Sequence, residues 1–127
     1  MDKKVIIQTE NAPKPIGPYS MGVAFGEFIF TAGQLGIDPN TGEIVSGGIQ
    51  AETRQALTNI KNILESVGSG LEKVVKTTVY LRDMAEFSQM NAIYGEFFSE
   101  GFPARTTIQA GALPKNASIE IEVIAFR

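Results

Sequence analysis

A chain of 127 residues that contains neither histidine nor cysteine has few side chains with which to do chemistry. Without histidine there is no Ser-His-Asp triad and no ordinary proton-transfer group near neutral pH. Without cysteine there is no thiolate catalysis and no zinc–sulfur site. The phosphate-binding patterns GxxxxGK[ST] and GxGxxG are also absent from the sequence. Any catalysis must therefore use carboxylates, Arg, Lys, Tyr, Ser, Thr, backbone groups and water.

Arg105 and Glu120 are the charged residues whose positions suit such chemistry. Arg105 follows Phe102-Pro103-Ala104 at the start of a predicted strand. Its planar fork could bind a carboxylate through two hydrogen bonds, or it could form an ion pair at a surface or interface. Glu120 and Glu122 share one face of the last predicted strand. They are either solvated carboxylates or, if that face is covered, one of them has a raised pKa and can handle protons.

Three further residues could line a binding site or could be purely structural. Asn91 lies on or beside the apolar stripe of a predicted helix, four residues after Phe87 and three before Tyr94. Its amide would either form a structural hydrogen bond to a loop backbone or contact a substrate. Tyr19 could be a packing residue of a strand and Gly33 a turn glycine. None of these residues on its own indicates a particular function.

The apolar pattern indicates elements in the order β, ββ, α, β, α, ββ. Gly26-Glu27 suits a two-residue hairpin turn. Apolar residues at spacings of three and four predict a first helix from Ile49 to Val67, which Gly68 ends. A capping box at Asp83–Glu86 predicts the start of a second helix that runs to about Ser99. The predicted strands cover residues 3–8, 19–25, 27–32, 73–81, 104–111 and 118–126.

Two helices cannot cover both faces of a six-stranded sheet, so we expect an α+β layer with both helices on one face. The last strand nevertheless has apolar residues on both sides, such as Ile121 on one and Ile124 on the other. The second face is therefore predicted to be a subunit interface.

The predicted strands also constrain how Arg105 and Glu120 can act together. If the last two strands pair as a hairpin about residues 114–115, Arg105 lies opposite Ile124, with Glu120 about 13 Å away along the strand. The two would not pair directly. A small substrate could contact both only if the side chains converge from different directions or different subunits.

Composition limits the class of protein. With 43% hydrophobic and 20% charged residues, the chain is a globular protein, predicted as a single domain over residues 1–127. Its net charge of −3 argues against nucleic acid as a partner. No apolar run approaches the ~20 residues of a membrane span, so no membrane is expected. The first residues lack the apolar segment of a signal peptide, and the expected location is cytoplasmic.

Seven short motifs, taken together, resemble the Rid (YjgF-like) family, and within it the RidA type of deaminase. The resemblance covers essentially the whole chain without large insertions. The motifs are IGPYS at 16–20, TAGQ at 31–34, VKTTV at 75–79, NAIY at 91–94, FPART at 102–106, LPK at 113–115 and IEIE at 119–122.

The resemblance implies a chorismate-mutase-like fold, with a six-stranded mixed sheet and two helices packed on one face. It implies a homotrimer whose active sites lie between subunits. It also implies a small imino acid as substrate, with 2-iminobutanoate or 2-iminopropanoate hydrolysed to a 2-oxo acid and ammonia. A protonated imine is already electrophilic, so this reaction needs no cofactor and no metal.

The resemblance also assigns roles to residues. Arg105 would bind the substrate carboxylate, and Glu120 would position and activate the attacking water. Tyr19, Asn91, Ala32 and the Gly33 backbone would line the pocket, and the main chain of Thr107 would help to hold the carboxylate. Many relatives have Ser at the position of Ala32 and Cys at that of Thr107. Backbone roles survive both changes.

Two alternatives remain beside this deaminase hypothesis. One is a non-enzymatic trimer of the same fold that binds a small carboxylate or regulates a partner. The other is a hydrolase of the same family that acts on another imine or on an amide-like substrate.

Overall fold

The computed structural model describes residues 3–127; Met1 and Asp2, which the predicted domain includes, lie outside them. Three short 3₁₀ turns, at Leu71–Lys73, Met84–Glu86 and Pro114–Asn116, connect the longer elements. The longer elements in chain order are β1 (Val5–Ile7), β2 (Gly22–Phe25), β3 (Phe28–Thr31), α1 (Gly48–Glu65), β4 (Val74–Leu81), α2 (Phe87–Phe97), β5 (Ala104–Gln109) and β6 (Ile119–Phe126).

The six strands form one mixed sheet in the order β1-β2-β3-β6-β4-β5. Every neighbouring pair is antiparallel except β4 and β5, which are parallel. Parallel neighbours need a long crossover connection, and α2 supplies it. The predicted α+β class and the two helices on one face are confirmed.

The predicted hairpin between the last two strands does not form. β4 lies between β5 and β6, and Thr77 of β4 pairs with both Arg105 and Val123. The predicted placement of Arg105 opposite Ile124 therefore fails. The turn after Leu113 connects strands that are not neighbours, which local sequence pattern could not reveal.

Several predicted boundaries shift by a few residues. The strand predicted at 19–25 begins only at Gly22, so Tyr19 lies in a loop. The second helix ends at Phe97, and Asp83 caps a 3₁₀ turn before it by accepting a hydrogen bond from the Ala85 N–H. The hairpin at Gly26-Glu27 forms as predicted, and Gly26 has the positive φ of 60° that such a turn requires.

The core lies between the helices and one face of the sheet. Ile60 and Ile63 of α1 are fully buried, as are Ile29, Val79 and Ile121 of the sheet. Burying each such side chain contributes about 1.5–3 kcal/mol, so this layer fixes the sheet against α1.

The opposite face, called here the open face, carries no helix in residues 3–127. Its β2–β3 side is apolar and exposed, with Phe28, Phe30 and Phe126 between 40% and 47% accessible. Its β4–β6 side is polar and includes Glu120 and Glu122. Within the described part of the chain, no helix is long and apolar enough to cross a membrane.

Candidate active site

Arg105 lies on the helix side of β5, where α2 holds its guanidinium. Nη1 donates a 2.7 Å hydrogen bond to Asn91 Oδ1. The guanidinium carbon lies 4.6 Å from the Tyr94 ring centroid and 5.4 Å from that of Phe87. Tyr94 is itself fixed, because its hydroxyl shares a 2.8 Å hydrogen bond with Thr77 Oγ1. Stacking on two rings restricts the guanidinium and leaves most of its N–H groups available to a ligand.

A cleft of about 440 Å³ opens beside this guanidinium. Within residues 3–127, no carboxylate forms a salt bridge with Arg105. A free arginine fork at the wall of a cleft suits a carboxylate ligand. The cleft is lined by Asn91, Tyr94, Gly95, Phe102, Pro103 and Arg105.

Asn91 of α2 forms a hydrogen bond with a side chain of β5. Its amide oxygen accepts from a side chain, Arg105, and not from a loop backbone. Asn91 is only partly buried and it also lines the cleft. The structural interpretation was therefore wrong about the partner. Asn91 orients the arginine from the neighbouring helix.

Glu120 lies in a second cleft, of about 370 Å³, on the open face. Burial of its carboxyl raises the pKa above the ordinary value, and the negative charge of Glu122 raises it further. Residues that the sequence analysis placed in the pocket, Tyr19, Ala32 and Gly33, line the same cleft together with Pro114.

Gly33 makes close contact with Glu120. A Cβ added at Gly33 would lie 2.7 Å from Glu120 Cδ and would overlap the carboxylate oxygen Oε2. A side chain at position 33 would therefore displace the Glu120 carboxyl from the place that it occupies against the Gly33 backbone. On either side of it, the Ala32 N–H donates to Met21 O and the Gln34 N–H to Ile121 O. These bonds fix the backbone on which the carboxylate rests.

Tyr19 reaches the Glu120 cleft from a loop. Its backbone N–H donates to Gly17 O at 2.8 Å, and its hydroxyl accepts a 3.4 Å hydrogen bond from the Ile16 N–H. The side chain is 51% exposed. The packing interpretation of Tyr19 as a strand residue is therefore wrong, because the ring folds back over its own loop at the cleft.

Thr107 lies on β5, one of the two edge strands of the sheet. The Ala110 N–H donates to Leu81 O of β4. Because backbone groups alternate along a strand, the N–H and C=O of Thr107 point away from β4, at the unpaired edge. They are available to a ligand. The Thr107 hydroxyl is buried and has no hydrogen-bond partner in residues 3–127.

The predicted site residues thus form two groups on opposite faces of the sheet. Arg105 and Asn91, with Thr107 beside them, lie at the helix face and the β5 edge. Glu120, Tyr19, Ala32 and Gly33 lie at the open face. The alternation of β4, β5 and β6 sets this division, because Arg105 pairs in register with Thr77 whereas Tyr80 pairs with Glu120.

The sequence pattern of α2 predicts only a core role for Phe87 and Tyr94. They lie four before and three after Asn91, so they share its helix face and the arginine that it holds. Aromatic residues that flank a lone polar residue at these spacings could have indicated the arginine site. Among residues 3–127, no group of three or more acidic side chains is arranged to hold a metal ion.

Comparisons with known proteins agree with this architecture. Residues 9–127 match the family model described as Endoribonuclease L-PSP. A RutC family protein of Pyrococcus horikoshii is 56% identical over 124 residues, which cover 98% of each chain. The human 2-iminobutanoate/2-iminopropanoate deaminase is 46% identical over 122 residues, which cover 96% of this chain and 89% of the human protein.

The crystal structure of the YjgF gene product of E. coli superposes with a TM-score of 0.93 and 45% sequence identity, covering 97% of this chain and 98% of that one. The fold and motifs therefore define a Rid-type protein. The chain belongs to the YjgF-like family that the Endoribonuclease L-PSP model describes. The family resemblance inferred from the sequence is confirmed.

Proposed function

We propose that the protein is a cofactor-independent deaminase that hydrolyses 2-imino acids of three or four carbons, such as 2-iminopropanoate and 2-iminobutanoate, to 2-oxo acids and ammonium. The observation that carries the proposal is the presence of two charged groups, Arg105 and Glu120, in clefts on opposite faces of the sheet. A free, stacked arginine lies in one cleft, and a half-buried carboxylate with a raised pKa lies in another. These are the two functions that imine hydrolysis needs.

The chemistry requires only these groups and water. Arg105 binds the substrate carboxylate through its fork and holds C2 in place. Glu120 takes a proton from water as the water oxygen bonds to C2 of the iminium, giving a carbinolamine. The proton then passes from Glu120 to the nitrogen, and the C–N bond breaks so that ammonia leaves. The C2 hydroxyl becomes the ketone by giving its proton to Glu120, which passes it to the departing ammonia. The iminium ion and one water thus become one 2-oxo acid and one ammonium ion.

The active site in this proposal lies between subunits of a homotrimer. Arg105 and Glu120 of one chain face opposite sides of the sheet, so a small substrate cannot contact both of them within one chain. Two copies could bring the helix-face group of one chain to the open-face group of the next. The exposed Phe28, Phe30 and Phe126 support such an arrangement, because a monomer gains nothing by exposing them to water.

The relatives support the reaction class more than the substrate. The human relative is named for 2-iminobutanoate and 2-iminopropanoate, whereas the more similar archaeal relative has only a family name. The side chain of the substrate is therefore part of the proposal. So is the cytoplasmic location, which stays a prediction.

The family model is named after an endoribonuclease, but the charge of this chain gives that activity no support. The net charge is −3, and the open-face cleft contains a carboxylate beside a second one. A surface that binds a polyanion is usually basic.

A coupled assay tests the proposal. A threonine dehydratase generates the imine from threonine, and semicarbazide traps whatever imine remains. We expect the protein to reduce semicarbazone formation and to accelerate 2-oxobutanoate release, with and without chelator. The Arg105→Ala variant is the matched control. Unchanged imine decay with the wild-type protein would contradict the deaminase. Binding of 2-oxobutanoate without hydrolysis would instead favour the carboxylate-binding trimer.

A further inference from the structure

Tyr80 and Glu122 lie beside Glu120 on the open face, and the reaction proposed above gives neither of them a role. Glu122 follows Glu120 by two positions on β6, so both side chains leave the same face about 7 Å apart. Tyr80 of β4 is the direct cross-strand partner of Glu120, whereas Thr78 is the partner of Glu122.

Tyr80 does not bind the carboxylate directly across from it. Its hydroxyl donates a 3.0 Å hydrogen bond to Glu122 Oε1, the diagonal neighbour. Glu120 meanwhile lies against Gly33, in the loop that follows β3 on the other side of β6. The two carboxylates of one strand face are thus held toward opposite sides of that strand.

We propose that Tyr80 and Glu122 form a positioning pair for Glu120. Tyr80 fixes the Glu122 carboxylate on the β4 side, so Glu120 alone occupies the cleft over Gly33 and the Glu122 carboxylate is held in one position beside it. That Glu120 acts as the general base for the attacking water rests on the proposed function. The arrangement of the three side chains does not.

The groups around Glu120 make Glu122 the main source of charge there. On β4, burial, the hydrogen bond to Glu122 and the charges of Glu122 and Glu120 raise the pKa of Tyr80, so Tyr80 remains a neutral donor. The loop that lines the cleft contributes Lys14, which is exposed, and Tyr19. Burial and Glu122 together raise the pKa of Glu120. A fixed Glu122 therefore keeps Glu120 able to exchange a proton at a higher pH than a solvated glutamate would.

The experiment follows the titration of Glu120 directly, by carbon NMR of the side-chain carboxyl in the intact protein labelled with ¹³C-glutamate. The Glu120→Gln variant assigns the resonance. The variants are Glu122→Gln, Tyr80→Phe and the two combined. Glu65→Gln is the matched control, because it removes one exposed carboxylate from the helix side of the sheet.

We expect Glu122→Gln to lower the midpoint of the Glu120 titration by at most about half a pH unit, because it removes one nearby negative charge from a partly solvated site. Tyr80→Phe should lower it less, because the freed carboxylate moves toward solvent. The double variant should match Glu122→Gln alone, because Tyr80 acts through Glu122. Glu65→Gln should leave the midpoint unchanged.

The same variants are then measured in the imine assay. The acid limb of the rate profile should move to lower pH with the NMR midpoint. In Tyr80→Phe, kcat should fall by a factor of about 2 to 12, the equivalent of one net hydrogen bond, with KM unchanged. A purely structural Tyr80 would not move the pH profile.

An unchanged Glu120 midpoint in Glu122→Gln would overturn the pair, and so would additive shifts in the double variant. If the midpoints move as expected but the wild-type protein hydrolyses no imine, the pair stands and the deaminase function fails. If the protein hydrolyses the imine but the midpoints do not move, the deaminase function stands and the pair fails.

Discussion

At the scale of single residues, Arg105 is suited to bind a carboxylate by the shape of its guanidinium as well as by its charge. Two aromatic rings and Asn91 fix the guanidinium plane, so a carboxylate meets a fork that is already oriented. We expect Arg105→Ala to weaken the binding of 2-oxobutanoate by about 10- to 150-fold, because a charge-assisted contact is worth about 1.5–3 kcal/mol. Arg105→Lys keeps the charge but loses the fork, and should remain impaired.

Isothermal calorimetry of the intact protein measures both variants. Arg54→Ala is the control, because it removes the same charge as Arg105→Ala. Arg54 pairs with Glu96 on the helix surface and lies outside the cleft. If Arg105→Ala bound the oxo acid as well as the wild-type protein does, the carboxylate site would have to lie elsewhere.

Gly33 is the residue whose substitution should separate catalysis from binding. A methyl group there overlaps the Glu120 carboxylate and forces it away from its position. We expect Gly33→Ala to lower kcat at least tenfold, because small displacements of a catalytic group are costly. The affinity for 2-oxobutanoate should change little if Arg105 dominates binding. Gly111→Ala is the matched control, since nothing lies within 4 Å of a Cβ at that position.

The raised pKa of Glu120 also implies a cost in stability. In the unfolded chain the carboxyl titrates near its ordinary value, whereas in the folded protein burial and Glu122 raise its pKa. Between those two values the folded state binds more protons, so this group makes the fold less stable as pH rises. Glu120→Gln should therefore unfold at a higher temperature than the wild-type protein at pH 7, with a smaller difference at pH 4. Scanning calorimetry at both pH values measures this. An advantage of the wild-type protein at pH 7 would contradict the desolvated carboxylate.

At the scale of elements, α1 anchors the loop that supplies Gly33. Asn59 of α1 is fully buried, and its amide nitrogen donates to Leu35 O at 3.2 Å and Ile37 O at 2.9 Å. Asn59→Ala leaves buried carbonyls without donors, and the expected loss of unfolding free energy is about 2–4 kcal/mol. Chemical denaturation measures it.

Asn62→Ala is the control on the same helix, because Asn62 makes one exposed hydrogen bond, to Asn11 O. It should lose less than about 1.5 kcal/mol. Equal losses in the two variants would show that the buried carbonyls find other donors, and the anchoring role of Asn59 would fail.

Local pattern predicted the elements better than their arrangement. The stripe from Ile49 to Val67 and the turn at Gly26-Glu27 are encoded by neighbouring residues, and both formed nearly as expected. The insertion of β4 between β5 and β6 depends on contacts between residues distant in the chain. A hairpin between the last two strands was therefore a reasonable local guess and a wrong one.

The same limit explains what was missed in the site. Arg105 and Glu120 could be singled out by residue type, but their separation onto opposite faces follows from the pairing of β4 with both neighbours. The diagonal hydrogen bond from Tyr80 to Glu122 depends on that register too. Residue types indicate which residues could belong to a site, and the strand order of the sheet determines which of them lie close together.

At the scale of the whole molecule, the open face has an apolar half and a polar half. The apolar half exposes aromatic rings of β2, β3 and β6, and the polar half contains the Glu120 cleft. An interface built on the aromatic half would hold the polar half against a neighbouring subunit. The oligomer and the active site would then depend on the same surface.

A charge in the aromatic half should therefore abolish assembly and activity together. Phe30 is 43% exposed and pairs across the sheet with Ile124, near the middle of this surface. Phe30→Glu would bury an unpaired carboxylate in an apolar interface, which costs several kcal/mol for each copy. Light scattering should give about 41 kDa for the wild-type protein, three chains of 13.7 kDa, and a smaller mass for the variant.

Val67→Glu is the matched control, because Val67 is a similarly exposed apolar residue just after α1, away from the open face. Activity should be lost with the trimer in Phe30→Glu and kept in Val67→Glu. A wild-type protein that is monomeric at micromolar concentration yet hydrolyses imines would show that one chain completes the site, and the division of Arg105 and Glu120 between subunits would be wrong.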